Sequence, residues 1–242
     1  MRHAALAAIL ALPLVVLPVI AQTTSPPAEE TPESLSASYK QAMQAKDWAG
    51  ALAAAEKLVD LSATADHLRM LSEAQIDSGG LDAALATCDR ALAQAQLEKP
   101  AEGQPDTTWK TLLGKIYVDK GNAYLKLRRN ADAIAVYNQA AAVDPNPSTA
   151  YWNICVTLYN TGDMQKGPDA CRRASTVDPA RADTWFVLAS LLFAESSKTD
   201  AQGKFIISDE CRQALNKYLE LAPNGPHAAD VKEMLDAAQP AQ

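Results

Sequence analysis

Segments of this chain recur at a fixed distance. "VDPN" at 143–146 and "VDPA" at 177–180 are 34 residues apart, as are Tyr117 and Tyr151, and Ala140 and Ala174; Trp185 lies another 34 beyond Tyr151. A period of this length marks a stacked array, because one small unit cannot bury its own apolar face and needs its neighbours to do so. The prolines supply the punctuation. Pro145 ends a helix that cannot continue through it, Asn146-Pro147 turns the chain, and Ser148 or Thr149 is placed to cap the helix that follows. The chain is 48% hydrophobic but only 6% aromatic, and its apolar content is rich in alanine. That balance suits closely approaching helices rather than sheets.

The periodicity predicts an all-α fold, an α-solenoid of about five stacked helix-turn-helix units. Their spans are about 32–65, 65–98, 114–147, 148–181 and 182–225, within a domain at 35–240. The first two units lack the aromatics and the closing proline, with first helices expected at 35–45 and 66–78. Turns within units fall at "SGGLD" (78–82) and "NTGDM" (160–164), where glycine can take the left-handed conformation that closes a helix. After Pro223, residues 226–238 read as an amphipathic capping helix. Two insertions break the period. "LEKPAEGQPDTTW" precedes one long helix that starts near Asp106 or Thr107, and "ESSKTDAQGKFIISDE" separates the last two helices of the array, with "KFII" extended.

The repeating residues also resemble the tetratricopeptide repeat pattern, W-x2-L-G-x2-Y…A-x3-F…P. One copy fills its slots with Tyr117, Lys120, Gly121, Tyr124, Ala133, Tyr137 and Pro145. The next uses Tyr151, Ile154, Cys155, Leu158, Gly167, Cys171 and Pro179. A third opens with Trp185, Leu188, Ala189 and Leu192 and resumes after the insertion with Cys211, Leu215 and Pro223. The resemblance covers residues 114–225. It implies a non-catalytic scaffold that binds a protein or peptide in the groove lined by first helices. The groove positions are Lys115, Asn122, Lys126, Trp152, Asn153, Tyr159, Phe186 and Phe193. Asparagine amides can pair with an extended backbone and aromatics supply anchor area, but aromatics at this spacing also fit a core. A subset of the family clamps a terminal carboxylate. Asn122 and Asn153 match its asparagines, whereas Val118, Asp183 and Val187 stand where its basic residues belong.

The first 34 residues are organised differently. "MRHAALAAILALPLVVLPVIAQ" has a basic start, an apolar run and a small-residue site, the pattern of a secretory signal peptide cleaved after Ala21. The alternative is a retained membrane anchor, but Pro13 and Pro18 interrupt a run already short for a span of about 20 residues. Membrane association is expected only if this segment is retained. Residues 22–34, rich in Pro, Ser, Thr and Glu, read as a disordered linker. The expected setting is secreted or periplasmic.

Catalytic chemistry finds little support. Three histidines are scattered, no metal-ligand spacing occurs, and no glycine-rich phosphate loop follows a strand. No cofactor is implied. A net charge of −7 and a pI near 5.0 argue against nucleic acid. Four cysteines form no CxxC motif. Cys155 and Cys171 occupy facing slots of one hairpin, as either a disulfide or two small buried thiols. The leading functional expectation is an envelope scaffold or adaptor. The alternative is a solute- or glycan-binding protein with an aromatic groove in the last two repeats.

Overall fold

A computed structural model describes residues 30–195, 199, 203 and 205–240. The chain divides into Met1–Thr31 and Pro32–Gln242. Nearly all of the first unit, including the expected signal peptide and most of the linker, lies outside the described residues. The second is built from eleven described helices: α1 Pro32–Ala45, α2 Trp48–Leu61, α3 Ala65–Ser78, α4 Leu81–Leu97, α5 Thr107–Lys126, α6 Asn130–Val143, α7 Ser148–Asn160, α8 Gly167–Val177, α9 Ala182–Ala194, α10 Asp209–Leu221 and α11 Ala228–Asp236. Consecutive helices pair as α1/α2, α3/α4, α5/α6, α7/α8 and α9/α10, and α11 packs on α10. The fold is an all-α solenoid.

Packing follows from size complementarity. Tyr137 is fully buried and its ring lies against Gly121, where an added Cβ would sit 2.6 Å from Tyr137 Cδ1. The phenol is not stranded, because Tyr137 donates a 2.8 Å hydrogen bond to Asn122 Oδ1. Gly167 gives Leu191 similar room, with an added Cβ 3.0 Å from Leu191 Cδ1. Small buried residues (Ala133, Ala140, Ala174, Ala189) let the backbones approach, and Leu158, Leu188, Leu215 and Tyr218 fill the space between them. The core is therefore a succession of clusters along the array rather than one central mass.

Local chemistry sets the joints. Gly79 (φ 90°) and Gly162 (φ 69°) take the left-handed conformation at the turns expected for them. Two other hairpins close without glycine, through Lys46 (φ 57°) and Arg128 (φ 62°), each at a steric cost of about 1–2 kcal/mol. At the "VDPNPSTAY" joint the N-cap is Pro147, and neither Ser148 nor Thr149 caps α7 with its side chain. Asp106 begins α5 but does not cap it either; its carboxylate pairs with Lys110 Nζ at 2.9 Å.

The second insertion does form an extended segment. Strand β1, Phe205–Ile207, pairs in parallel with β2, Ala238–Pro240. This ladder ends α11 earlier than the expected 238. Ile207, Val231 and Ala238 are buried in the same cluster as α9 and α10. The insertion and the chain's last described residues thus close the final hairpin together.

Cys155 of α7 and Cys171 of α8 form a disulfide across their hairpin, with a Cα–Cα distance of 4.7 Å. Cys88 and Cys211 are free and buried.

Two stability outcomes follow. Gly121→Ala must displace Tyr137, so it should destabilise the chain by about 1–3 kcal/mol in urea unfolding, despite gaining about 1 kcal/mol of helix propensity. Reducing a bridge that spans 16 residues should lower stability by about 3 kcal/mol, and Cys155→Ala/Cys171→Ala should abolish the effect of reductant on the melting temperature.

Candidate functional site

An open cleft lies where α3, α5 and the α6–α7 joint meet. It encloses about 650 Å³ and is lined by Arg69 and Glu73 of α3, Thr111, Lys115, Val118 and Asp119 of α5, and Asp144, Asn146, Ser148 and Thr149 of the joint. Helical spacing explains the grouping. Arg69 and Glu73 are one turn apart, and Thr111, Lys115 and Asp119 form a row of successive turns. Gly114 lets Asp144 come in beside α5, since an added Cβ would lie 2.7 Å from Asp144 Cβ.

One guanidinium organises the floor. Arg69 contacts Glu73 Oε2 at 2.8 Å, Asp66 Oδ1 at 3.3 Å and Asp119 Oδ2 at 3.4 Å. Tyr39 of α1 donates to Glu73 Oε2 at 2.7 Å, so the network joins three successive first helices. Asp119 is only 8% exposed. Burial pushes its carboxyl up to about 7; Arg69 pulls the other way and Glu73 adds to the rise. Burial, reinforced by the hydrogen bond to Glu73, also holds the Tyr39 phenol far above its ordinary range.

The groove positions expected from the sequence are distributed rather than gathered. Lys115 is in the cleft and is exposed. Lys126 Nζ donates to Ile76 O and Asp77 Oδ1, both at 2.9 Å, tying α5 to the end of α3. Asn153 donates to Asn122 Oδ1 at 3.3 Å, the same oxygen that receives Tyr137. Trp152 is half-buried with the Arg181 guanidinium 5.4 Å from its ring centroid, and Tyr159 is exposed. Phe186 stacks on His227, ring centroids 3.8 Å apart, and Phe193 meets Phe205 at 5.2 Å. These two phenylalanines therefore pack beneath C-terminal elements.

Sequence reasoning missed Tyr39, Arg69, Glu73 and Asp119. A signal was present, because Tyr39 and Glu73 are separated by 34 residues, the repeat period itself. The Arg69–Asp119 separation of 50 was hidden by the insertion before α5. Among the described residues, no group of His, Cys, Asp and Glu is placed to hold a metal, and no helix is long and apolar enough to cross a membrane.

Residues 118–183 match the tetratricopeptide repeat family model. Within those residues the helix pairs match tetratricopeptide repeats, and the array as a whole is a helical solenoid. Solved structures agree on the fold. MamA superposes with a TM-score of 0.55 at 15% identity, over 82% of this chain and 94% of its own. A thermophilic repeat protein of Thermus thermophilus gives 0.52 at 16% identity, over 86% and 98%. YrrB, a tetratricopeptide-repeat protein with an unusual peptide-binding site, gives 0.50 at 15% identity, over 81% and 88%. No curated protein matches the sequence significantly. At these identities the likeness concerns the solenoid's fold alone.

The buried carboxyl makes a testable contribution to stability. Its folded pKa of about 7 lies above the ordinary 3.8, so between those values the folded state holds a proton that the unfolded state has released. Through this group, stability falls as pH rises from about 4 to about 7 and levels off above. Urea titrations at a series of pH values should show this slope, and Asp119→Asn should remove it and be relatively more stable at pH 8.

Proposed function

We propose that this solenoid is a non-catalytic scaffold or adaptor that binds a protein or peptide on the face formed by its first helices. The observation that carries this reading is the open cleft between α3, α5 and the α6–α7 joint. Its walls alternate cation, carboxylate, hydroxyl and amide around Val118, a lining suited to an irregular polypeptide segment. Tetratricopeptide repeats are generally interaction scaffolds, and YrrB is described by its peptide-binding site. Lys115, Asn122, Lys126, Trp152, Asn153 and Tyr159 extend the proposed surface along α5 and α7.

The proposed setting is secreted or periplasmic, in a bacterial-type envelope. Support comes from the signal-peptide pattern of residues 1–21 and from the Cys155–Cys171 disulfide, since such bonds persist in oxidising compartments. The aromatic-groove alternative has less support, because Phe186 and Phe193 already have ring partners within the chain.

Co-purification from envelope extract provides the test. Lys115→Ala and Trp152→Ala, with helicity and melting temperature unchanged, should each reduce capture of specific partners by at least fivefold. Undiminished capture by the folded double variant would refute this use of the surface.

A further inference from the structure

The cleft has an unbalanced charge that points to the chemistry of its occupant. Three carboxylates, Asp66, Glu73 and Asp119, lie within 3.4 Å of one guanidinium, Arg69. Of these, Glu73 and Asp119 line the cleft, and Asp144 adds a third carboxylate to its wall. Lys115 is the other cation in the lining, yet it forms no ion pair among the described residues. The nearby Lys126 is engaged by Asp77 at 2.9 Å. Asp119 matters most, because it is 8% exposed and its sole described hydrogen bond is the 3.4 Å one from Arg69 to Oδ2. Its Oδ1 has no hydrogen-bond partner among the described residues and belongs to a side chain lining the cleft. That oxygen opens onto the cleft, where an entering cation or donor can reach it.

From this arrangement we infer that the cleft receives a basic side chain, lysine or arginine, from the bound polypeptide, with Asp119 and Glu73 as its acceptors. This inference rests on the scaffold reading above and specifies the partner's chemistry. A ligand ammonium or guanidinium would supply the missing positive charge, while Thr111, Ser148 and Thr149 offer hydroxyls to the adjoining backbone. A terminal carboxylate is a poor fit, because it would face Asp119, Glu73 and Asp144 together.

Proton linkage gives the inference a separate signature. Asp119 faces Arg69, Glu73 and Asp77 from α3, with Lys115 on its own helix. Tyr39 of α1 and Cys88 of α4 feel its charge and titrate well above neutral pH, and Asp144 closes the far wall. An incoming cation favours ionised Asp119, so binding should release protons near neutral pH and tighten from pH 6 to pH 8.

The test uses the folded chain and blocked pentapeptides Ala-Ser-X-Ser-Ala, where X is Lys, Arg, Gln or Glu, titrated calorimetrically and by amide chemical shifts. The Lys and Arg peptides should bind at least tenfold more tightly than the Gln and Glu peptides, with shifts centred on Arg69, Lys115 and Asp119. Asp119→Asn and Glu73→Gln should each weaken the Lys peptide at least fivefold, and the exposed control Asp89→Asn should leave it unchanged. Asp119→Asn should also abolish proton release measured in two buffers. Equal affinity for all four peptides, no binding by any of them, or Lys-peptide binding indifferent to both cleft variants would overturn the inference. Envelope partners still captured in a Lys115- and Trp152-dependent way would then leave the scaffold reading standing, and loss of that dependence would mark its separate failure.

Discussion

The structure depends on close approach between small and large residues at a fixed period. Tyr137 against Gly121 shows the constraint most sharply, because the position facing the ring has no space for even a methyl group. Burying a tyrosine contributes much of a hairpin's hydrophobic stabilisation, and it does so only when the facing backbone is bare and the phenol finds an acceptor. Asn122 supplies that acceptor and in turn receives Asn153 from the next hairpin. One contact therefore fixes the spacing within a repeat, while its polar tip fixes the register to the following one. Such nearest-neighbour coupling lets a sequence of small hairpins behave as a single domain.

The same geometry leaves the first-helix face available for polar chemistry. The apolar sides of α3 and α5 pack within the array, and their remaining side presents Arg69, Glu73, Lys115 and Asp119 toward a cleft. Asp119 and its shared guanidinium are then a local cost within a well-packed array. A stability-driven core would favour an apolar pair at that place. The imbalance connects the packing to the proposed binding chemistry, because a partner's cation offsets what the isolated chain leaves incompletely paired.

Much of the fold was legible because stacking requires the pattern to recur. Pro145 and Pro179, the Tyr117–Tyr151–Trp185 series and the glycines at 79 and 162 each announce a backbone event with one dominant cause. Events with several solutions were less visible. Lys46 and Arg128 close hairpins in a conformation that their residue types disfavour, and the partner strand Ala238–Pro240 carries no strong extended signal of its own. The cleft was half legible. Lys115 and Val118 follow from the helical wheel, but Arg69, Glu73 and Asp119 meet through tertiary packing across a broken period. Phe186 and Phe193 illustrate the converse difficulty. Periodicity placed them on first helices but did not reveal that His227 and Phe205 would cover them.

Site-specific photo-crosslinking in envelope extract tests the central claim most directly. A photoreactive residue at Thr111 reports from the cleft wall, and one at Gln139, exposed on the second helix α6, reports from elsewhere on the same solenoid. The account predicts discrete adducts from Thr111 that an excess of unlabelled protein competes away, with background labelling from Gln139. Equal labelling from the two positions, or discrete competed adducts from Gln139 alone, would contradict it.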